Sequence, residues 1–250
     1  MDLNADLGEG FGIWRLGDDE ALLDLVTSAN VACGFHAGDA ATMRRVCAAA
    51  VERRVAVGAQ VGYRDLAGFG RRHIAYEFAE LRDEVIYQLG ALDVFCRLFR
   101  TRVRYLKPHG ALYHAAACDE VQAAALIAAV KDVDDELPLL CPPGSVLAQL
   151  AQGAGLRVVA EGFADRGYLP SGALVPRNAP GALLTDPEEI AQRAVRMATD
   201  RTVVAVDGTV VPCVVESICL HGDTPGAVRS AELVRAALLD AGVVPRPFTD

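Results

Sequence analysis

Lysine is nearly absent from this 250-residue chain. Of its 24 basic side chains only Lys107 and Lys131 are lysines, and the rest are arginine. Where arginine is so strongly preferred, a lysine at a strand end points to a need for a compact ammonium rather than a planar fork. Other scarcities exclude whole classes of function. The net charge is −9 and aromatics make up 6% of the chain, with no basic cluster interleaved with rings; nucleic acid and anionic membrane surfaces are poor partners for it. No apolar run approaches the ~20 residues of a membrane span. Met1 to Glu9 is acidic and lacks the basic and apolar regions of a signal peptide, so a cytoplasmic location is expected. The seven cysteines form no CxxC pair. That argues against a structural zinc site and predicts buried, reduced thiols at Cys33, Cys47, Cys96, Cys141, Cys213 and Cys219. No GxxxxGKS/T loop or other nucleotide signature is present, so the residues alone locate no nucleotide.

What is present is apolar bulk, 52% of residues, with 23 glycines and no linker, repeat or low-complexity tract. This predicts a single domain over 1–250. Strand and helix signals alternate about seven times. Strands are expected at Met1–Leu7, Ser28–Gly34, Val55–Ala59, Val103–Leu106, Leu137–Cys141, Leu156–Glu161 and Glu216–Leu220. Helices are expected at Asp18–Val26, Ala40–Arg53 (capped by Asp39), Glu77–Arg100, Asp119–Lys131, Ser145–Ala154 and Asp186–Ala198, with a last one through Ala241 capped by Thr224-Pro225. Asp207-Gly208 marks a hairpin between Thr202–Val206 and Thr209–Val215. The long glycine-rich loop from Gln60 to His73 is expected to be a lid or wall of a site. The pattern reads as an α/β fold, a single seven-stranded (β/α) barrel.

Polar residues follow nearly every strand: Asp6, His36, Gln60, Lys107 with His109, Glu161 with Asp165, and His221 with Asp223. In a closed βα barrel such strand ends converge on one face. Asp2, Asn4 and Asp6 share a face of the first strand, which is costly unless they line a wet cavity or meet partners. The run Arg104 to His114 carries the strongest signal. Its apolar strand stops at Lys107-Pro108-His109-Gly110, where Pro108 ends the ladder and Gly110 permits a sharp turn.

Five blocks resemble the LamB/YcsF family, that of the A subunit of bacterial 5-oxoprolinase. They are Asp2-Leu-Asn-Ala-Asp-Leu-Gly-Glu9, Ser28-Ala-Asn-Val-Ala-Cys-Gly-Phe-His-Ala-Gly-Asp39, Lys107-Pro-His-Gly-Ala-Leu-Tyr113, Phe163-Ala-Asp-Arg166 and Cys219-Leu-His-Gly-Asp223. The resemblance implies a barrel like that of the polysaccharide deacetylases, and ATP-dependent opening of 5-oxoproline (pyroglutamate) to glutamate with Mg2+ as the nucleotide's counter-ion. It also implies two partner subunits, B and C. Many members have Gly-Ala-His-Pro where this chain has Gly58-Ala-Gln60-Val61, so one imidazole is missing here.

A lactam is a resonance-stabilised amide and a poor electrophile; phosphorylating its oxygen would create a leaving group that water can displace. That chemistry needs cations, a base and oxyanion donors. The catalytic candidates are Asp6, His36, Lys107, His109 and Glu161, with Asp6, Glu161 or His109 as the base. The substrate-binding candidates are Asn4, Asn30, Gln60, Asp165, Arg166, His221 and Asp223, with Arg166 as a second cation beside Lys107. No metal ligand is assigned in this scheme. Two alternatives stand beside it: a metal-dependent amide hydrolase or deacetylase using Asp6, His36, His109 and His221, and a non-catalytic substrate-binding subunit.

Overall fold

The alternation along the first strand becomes, in a computed structural model describing residues 1–223 and 226–249, the inside and outside of a barrel. In β1 (Asp2–Leu7), Leu3, Ala5 and Leu7 pack into the main apolar core. Asp2, Asn4 and Asp6 take the other face and are equally buried. Asp6 reaches Lys107, which lies three strands away, so this face is the barrel interior. The strands β1, β2 (Ser28–Ala32), β3 (Ala56–Val61), β4 (Tyr105–Pro108), β5 (Leu139–Cys141), β6 (Val158–Phe163) and β9 (Ser217–Leu220) close in that order. All neighbours are parallel, and β9 fits between β6 and β1, pairing Ser217 with Glu161 on one side and Asp2 on the other. The seven-stranded expectation holds. Between β6 and β9 the chain makes a separate antiparallel hairpin, β7 (Thr202–Val204) and β8 (Val210–Pro212), turning at Asp207-Gly208.

The outer layer comprises α1 (Asp19–Leu23), α2 (Ala40–Arg53), α3 (Phe78–Leu98), α4 (Gly110–Ala116), α5 (Glu120–Val133), α6 (Val146–Gly153), α7 (Pro187–Thr199) and α8 (Ala227–Asp240). Several starts are set by side-chain caps: Asp39 accepts from Thr42 N, Asp119 from Val121 N, Ser145 from Ala148 N and Asp186 from Glu188 N. Each such cap satisfies amide donors that the first turn cannot pair, for about 1 kcal/mol. The expected Thr224-Pro225 cap of α8 lies outside the described residues.

Three expectations need correction. The first helix stops at Leu23, because Leu25 and Val26 close the end with turn hydrogen bonds to Leu22. A helix not foreseen, α4, starts immediately after β4: Gly110, at φ +57°, turns the chain, and the amides of Leu112 and Tyr113 bond back to His109 O. β6 runs on to Phe163, so Glu161 sits within the strand rather than past its end. The seven cysteines are all free thiols, and six are buried, leaving only Cys118 exposed. Among the described residues, no helix is long and apolar enough to cross a membrane.

Candidate active site

Burying a lysine ammonium is costly unless opposite charge and hydrogen bonds meet it. At Lys107 they do. Its Nζ lies 2.9 Å from Asp6 Oδ1 and 2.8 Å from Glu161 Oε1, with Asn4 Oδ1 at 3.4 Å and Cys219 Sγ at 3.1 Å. Around it the interior forms a cross-strand network. Asn30 Nδ2 donates to Asn4 Oδ1 (2.6 Å) and Asp6 Oδ1 (2.8 Å), while Tyr105 OH donates to Asn30 Oδ1 (2.6 Å). Room for that phenol is made by Gly58, where a Cβ would lie 2.1 Å from the Tyr105 ring. Deeper still, Asp2 accepts from Thr27, Ser28 and Ser217. Burial alone would raise Asp6, but Lys107 together with the neighbouring imidazoles outweighs it and holds the carboxyl below its ordinary range. Burial would likewise lower Lys107, yet the carboxylates push it well above 10.5. This node is therefore charged.

A second node, beside it, is built differently. His36 and His109 stack with ring centroids 4.0 Å apart and an interplanar angle of 18°. Gln60 Nε2 donates to Glu9 Oε1 at 3.1 Å, and Gln60 Oε1 faces His36 Nε2 at 3.2 Å. In this arrangement His36 donates from Nε2, which leaves Nδ1 as its basic nitrogen. His109 Nε2 is 3.7 Å from Glu9 Oε1, and neither Nδ1 has a partner among the described residues. Burial lowers His36 to about 4, and burial together with the His36 ring lowers His109 well below 6.5. Burial and Asp6 push Glu9 well above 4.5. Glu9 was missed because Gly8-Glu9-Gly10 reads as a turn; the signal available was a carboxylate two residues beyond a strand whose inward face is wholly polar.

The Gln60–His73 loop is a wall of this node. Gly70, at φ +66°, lies so close that a Cβ there would approach His36 Cβ to 2.7 Å and His109 Nδ1 to 3.0 Å. Its carbonyl accepts from Ala111 N at 2.8 Å, tying the loop to the start of α4. Asp65 caps the short turn at Leu66–Gly68 and pairs with Arg72.

The remaining candidates frame the mouth. His221 Nδ1 pairs with Asp165 Oδ2 at 2.8 Å, and the His221 amide donates to the same carboxylate. Asp223 accepts from Arg71 at 2.6 Å on the rim. Arg166 is 2% exposed and spends Nε on Ala182 O and Nη2 on Val175 O, so it chiefly fastens the proline-rich loop. Arg71 and Arg177, which the sequence did not single out, also reach the cleft of about 40 Å³ formed here with Lys107, His109 and His221. The four-residue metal set is not assembled: Asp6 is engaged by Lys107 and Asn30, and His221 by Asp165. The group that does come together is Glu9, His36 and His109, with one ligand atom from each within 4.8 Å of the others.

The LamB/YcsF family profile matches residues 1–250. The chain belongs to the LamB/YcsF family. Among its relatives is the 5-oxoprolinase A subunit of Streptomyces avermitilis, 58% identical over 243 residues that cover 97% of each chain. That of Nocardia farcinica is 56% identical over 248 residues, 99% of each. Among solved structures, the lactam utilization protein from Thermus thermophilus superposes with a TM-score of 0.94 at 46% identity, covering 99% of both chains. A family 4 carbohydrate esterase from Streptomyces lividans shares the fold alone: TM-score 0.50 at 12% identity, over 98% of this chain and 90% of that one. The expected barrel likeness to deacetylases holds, and the family's site blocks fall on the strand ends described above.

Proposed function

We propose that this chain is the ring-opening component of a multi-subunit 5-oxoprolinase, hydrolysing the activated lactam to glutamate alongside two partner subunits, B and C. The observation that carries the reading is a buried ammonium, Lys107, clamped by two carboxylates in a cleft lined also by His221 and by His109, which burial holds neutral. The relatives named as the A subunit of 5-oxoprolinase and as a lactam utilization protein supply the substrate class.

Each group then has a task. Lys107 offsets the negative charge of the phosphorylated oxygen as water adds to the carbonyl carbon. His109, held neutral by burial, takes the water's proton and returns it to the nitrogen as the C–N bond breaks, giving an amine and an acyl phosphate that a second water cleaves to carboxylate and inorganic phosphate. Asp6 is a poor base, being held anionic by Lys107; it fixes the ammonium instead. Glu9 and Gln60 orient the imidazole pair, so that Gln60 occupies usefully the place of the family's histidine. The Asp165–His221 pair sets the edge of the cleft.

ATP with Mg2+ belongs to the proposal as co-substrate of the complex; it supplies a phosphoryl group that makes the carbonyl carbon more electrophilic and that leaves as inorganic phosphate once the ring is open. The residues of this chain fit a triphosphate poorly. A cleft of about 620 Å³ beside α1 and α2 carries Asp18, Asp19, Glu20 and Asp39 against Arg15 and Arg45, so its charge repels phosphate. We therefore assign nucleotide handling to the partners. Omission assays test both assignments: partners alone should form ADP without glutamate, and adding this chain should restore glutamate. Glutamate release without the chain would overturn the proposal.

The Glu9–His36–His109 group favours a second reading, a metal-assisted amide hydrolase. Against it stands the stack. An ion shared by parallel rings 4.0 Å apart would sit well out of both ring planes, where imidazole has no lone pair. Metal analysis and chelator treatment separate the two: a stoichiometric transition metal whose removal abolishes ring opening would favour the second.

A further inference from the structure

One wall of the small cleft has no part in the ring-opening step. Arg71, Arg166 and Arg177 line it beside Lys107, so four cations face one space of about 40 Å³. Three of them are matched. Lys107 sits between Asp6 and Glu161, Arg71 pairs with Asp223 at 2.6 Å, and Arg166 gives two nitrogens to the carbonyls of Ala182 and Val175. Arg177 is not. It is half-buried, and among the described residues its guanidinium has neither an ion pair nor a hydrogen bond.

The carboxylates that act on Arg177 are already committed: Asp223 to Arg71, Asp165 to His221 and Asp6 to Lys107. Its other neighbours carry like charge. Burial and the Arg71 charge hold Arg177 below the usual guanidinium range, and burial with the Arg177 charge does the same to Arg166. A guanidinium held partly out of water among other cations is unfavourable unless an anion completes it. Its placement is also built into the fold. Val175 N donates to Gly167 O at 2.9 Å and Gly167 N to Ala182 O at 3.0 Å, while Arg166 holds the carbonyls of Val175 and Ala182. The segment that carries Arg177 is therefore pinned on both sides of it.

We propose that Arg177 receives the free carboxylate of the substrate, with Arg71 and Arg166 adding charge along the same wall, and so selects lactams that carry an acid group beside the ring nitrogen. The inference rests on the lactam reading above and assigns the residue that recognises the part of 5-oxoproline that does not react. A planar guanidinium donates two parallel N–H bonds to a carboxylate, a match that an ammonium cannot make. Lys107 and Arg177 thereby divide the anionic substrate between them: the compact ammonium lies beside the phosphorylated oxygen, and the fork holds the carboxylate. No bond forms or breaks at Arg177, so it is a specificity residue. A lactam without the acid leaves its charge uncompensated, which is the basis of the discrimination.

The test is equilibrium binding to the full chain by ligand-observed NMR, with L-5-oxoproline and its neutral carboxamide as probes. The acid should bind at least about tenfold tighter than the carboxamide, and Arg177→Gln should remove most of that margin by weakening the acid alone. Arg177→Lys keeps the charge without the fork and should recover only part of it. The melting temperature of Arg177→Gln should match or exceed that of the native chain, since no native bond is lost; a marked drop would show a structural arginine and overturn the proposal. Equal binding of the two probes would overturn it as well, as would an intact margin in folded Arg177→Gln. In the reconstituted complex the same variant should raise KM for 5-oxoproline at least about tenfold and change kcat by less than about threefold. A loss of kcat at unchanged KM would put Arg177 on the phosphoryl group and contradict the carboxylate assignment. The expected binding margin in a chain whose complex releases no glutamate would support the site and count against the ring-opening function alone.

Discussion

The two nodes at the barrel mouth are equally buried yet hold opposite charge states. Lys107 meets Asp6 and Glu161 within 3 Å, and for Lys107 and Asp6 attraction exceeds the cost of leaving water, holding both charged. Glu9, His36 and His109 meet one another at 3.7 Å or through Gln60, and burial wins: the carboxyl is pushed up and the imidazoles down. One site thus offers a fixed positive charge beside a neutral base. Ring opening needs both.

Breaking the charged node should have the largest effect. Lys107→Met leaves Asp6 and Glu161 facing each other without a counter-charge, which should cost about 3–5 kcal/mol in urea denaturation and abolish glutamate release. Lys107→Arg keeps the charge but not the shape; a planar guanidinium should not restore turnover, and full activity would remove the case for a compact ammonium.

Acid should expose the neutral node next. His36 titrates near 4 in the fold and near 6.5 when unfolded, so the unfolded chain binds the extra proton between those values. Stability should fall as pH drops through that window, by about 3 kcal/mol from this group, and His36→Asn should flatten the loss. Glu9 has the opposite sign. Its folded value is raised, so its contribution is present at low pH and is lost as pH rises through that value; Glu9→Gln should remove that part and leave the acid limb.

Gly70→Ala sharpens the comparison without replacing a functional group. The added methyl presses on both imidazoles and strains a left-handed backbone, so kcat should fall about a hundredfold while Lys107 stays paired. At the rim, breaking the exposed Arg71–Asp223 pair with Asp223→Asn should change stability by less than about 1 kcal/mol.

The contrast also explains what the sequence revealed. The inward face of β1, the lone lysine at a strand end and the order of strands follow from periodicity and composition, and all three stand. Glu161 was found as a candidate but misplaced at a strand end, since the apolar run ends before the β6 ladder does. Glu9, Tyr113 and α4 were hidden because Gly8, Gly10 and Gly110 read as loop, although turns are also how a barrel aims side chains at its mouth. Arg166 carried the charge expected of it, but the carbonyls of Ala182 and Val175 claim two of its nitrogens, a tertiary fact with no local signal.

The scarcity of lysine permits the most direct test. With only Lys107 and Lys131 in the chain, a 15N-lysine, 15N-histidine sample gives two side-chain lysine signals, and Lys131→Arg assigns them. Titrated from pH 5 to 10, Lys107 should remain an ammonium throughout, while the His36 and His109 rings remain neutral down to pH 5. A neutral Lys107 at pH 8, or imidazolium in that pair at pH 6.5, would contradict the division of charge on which the mechanism depends.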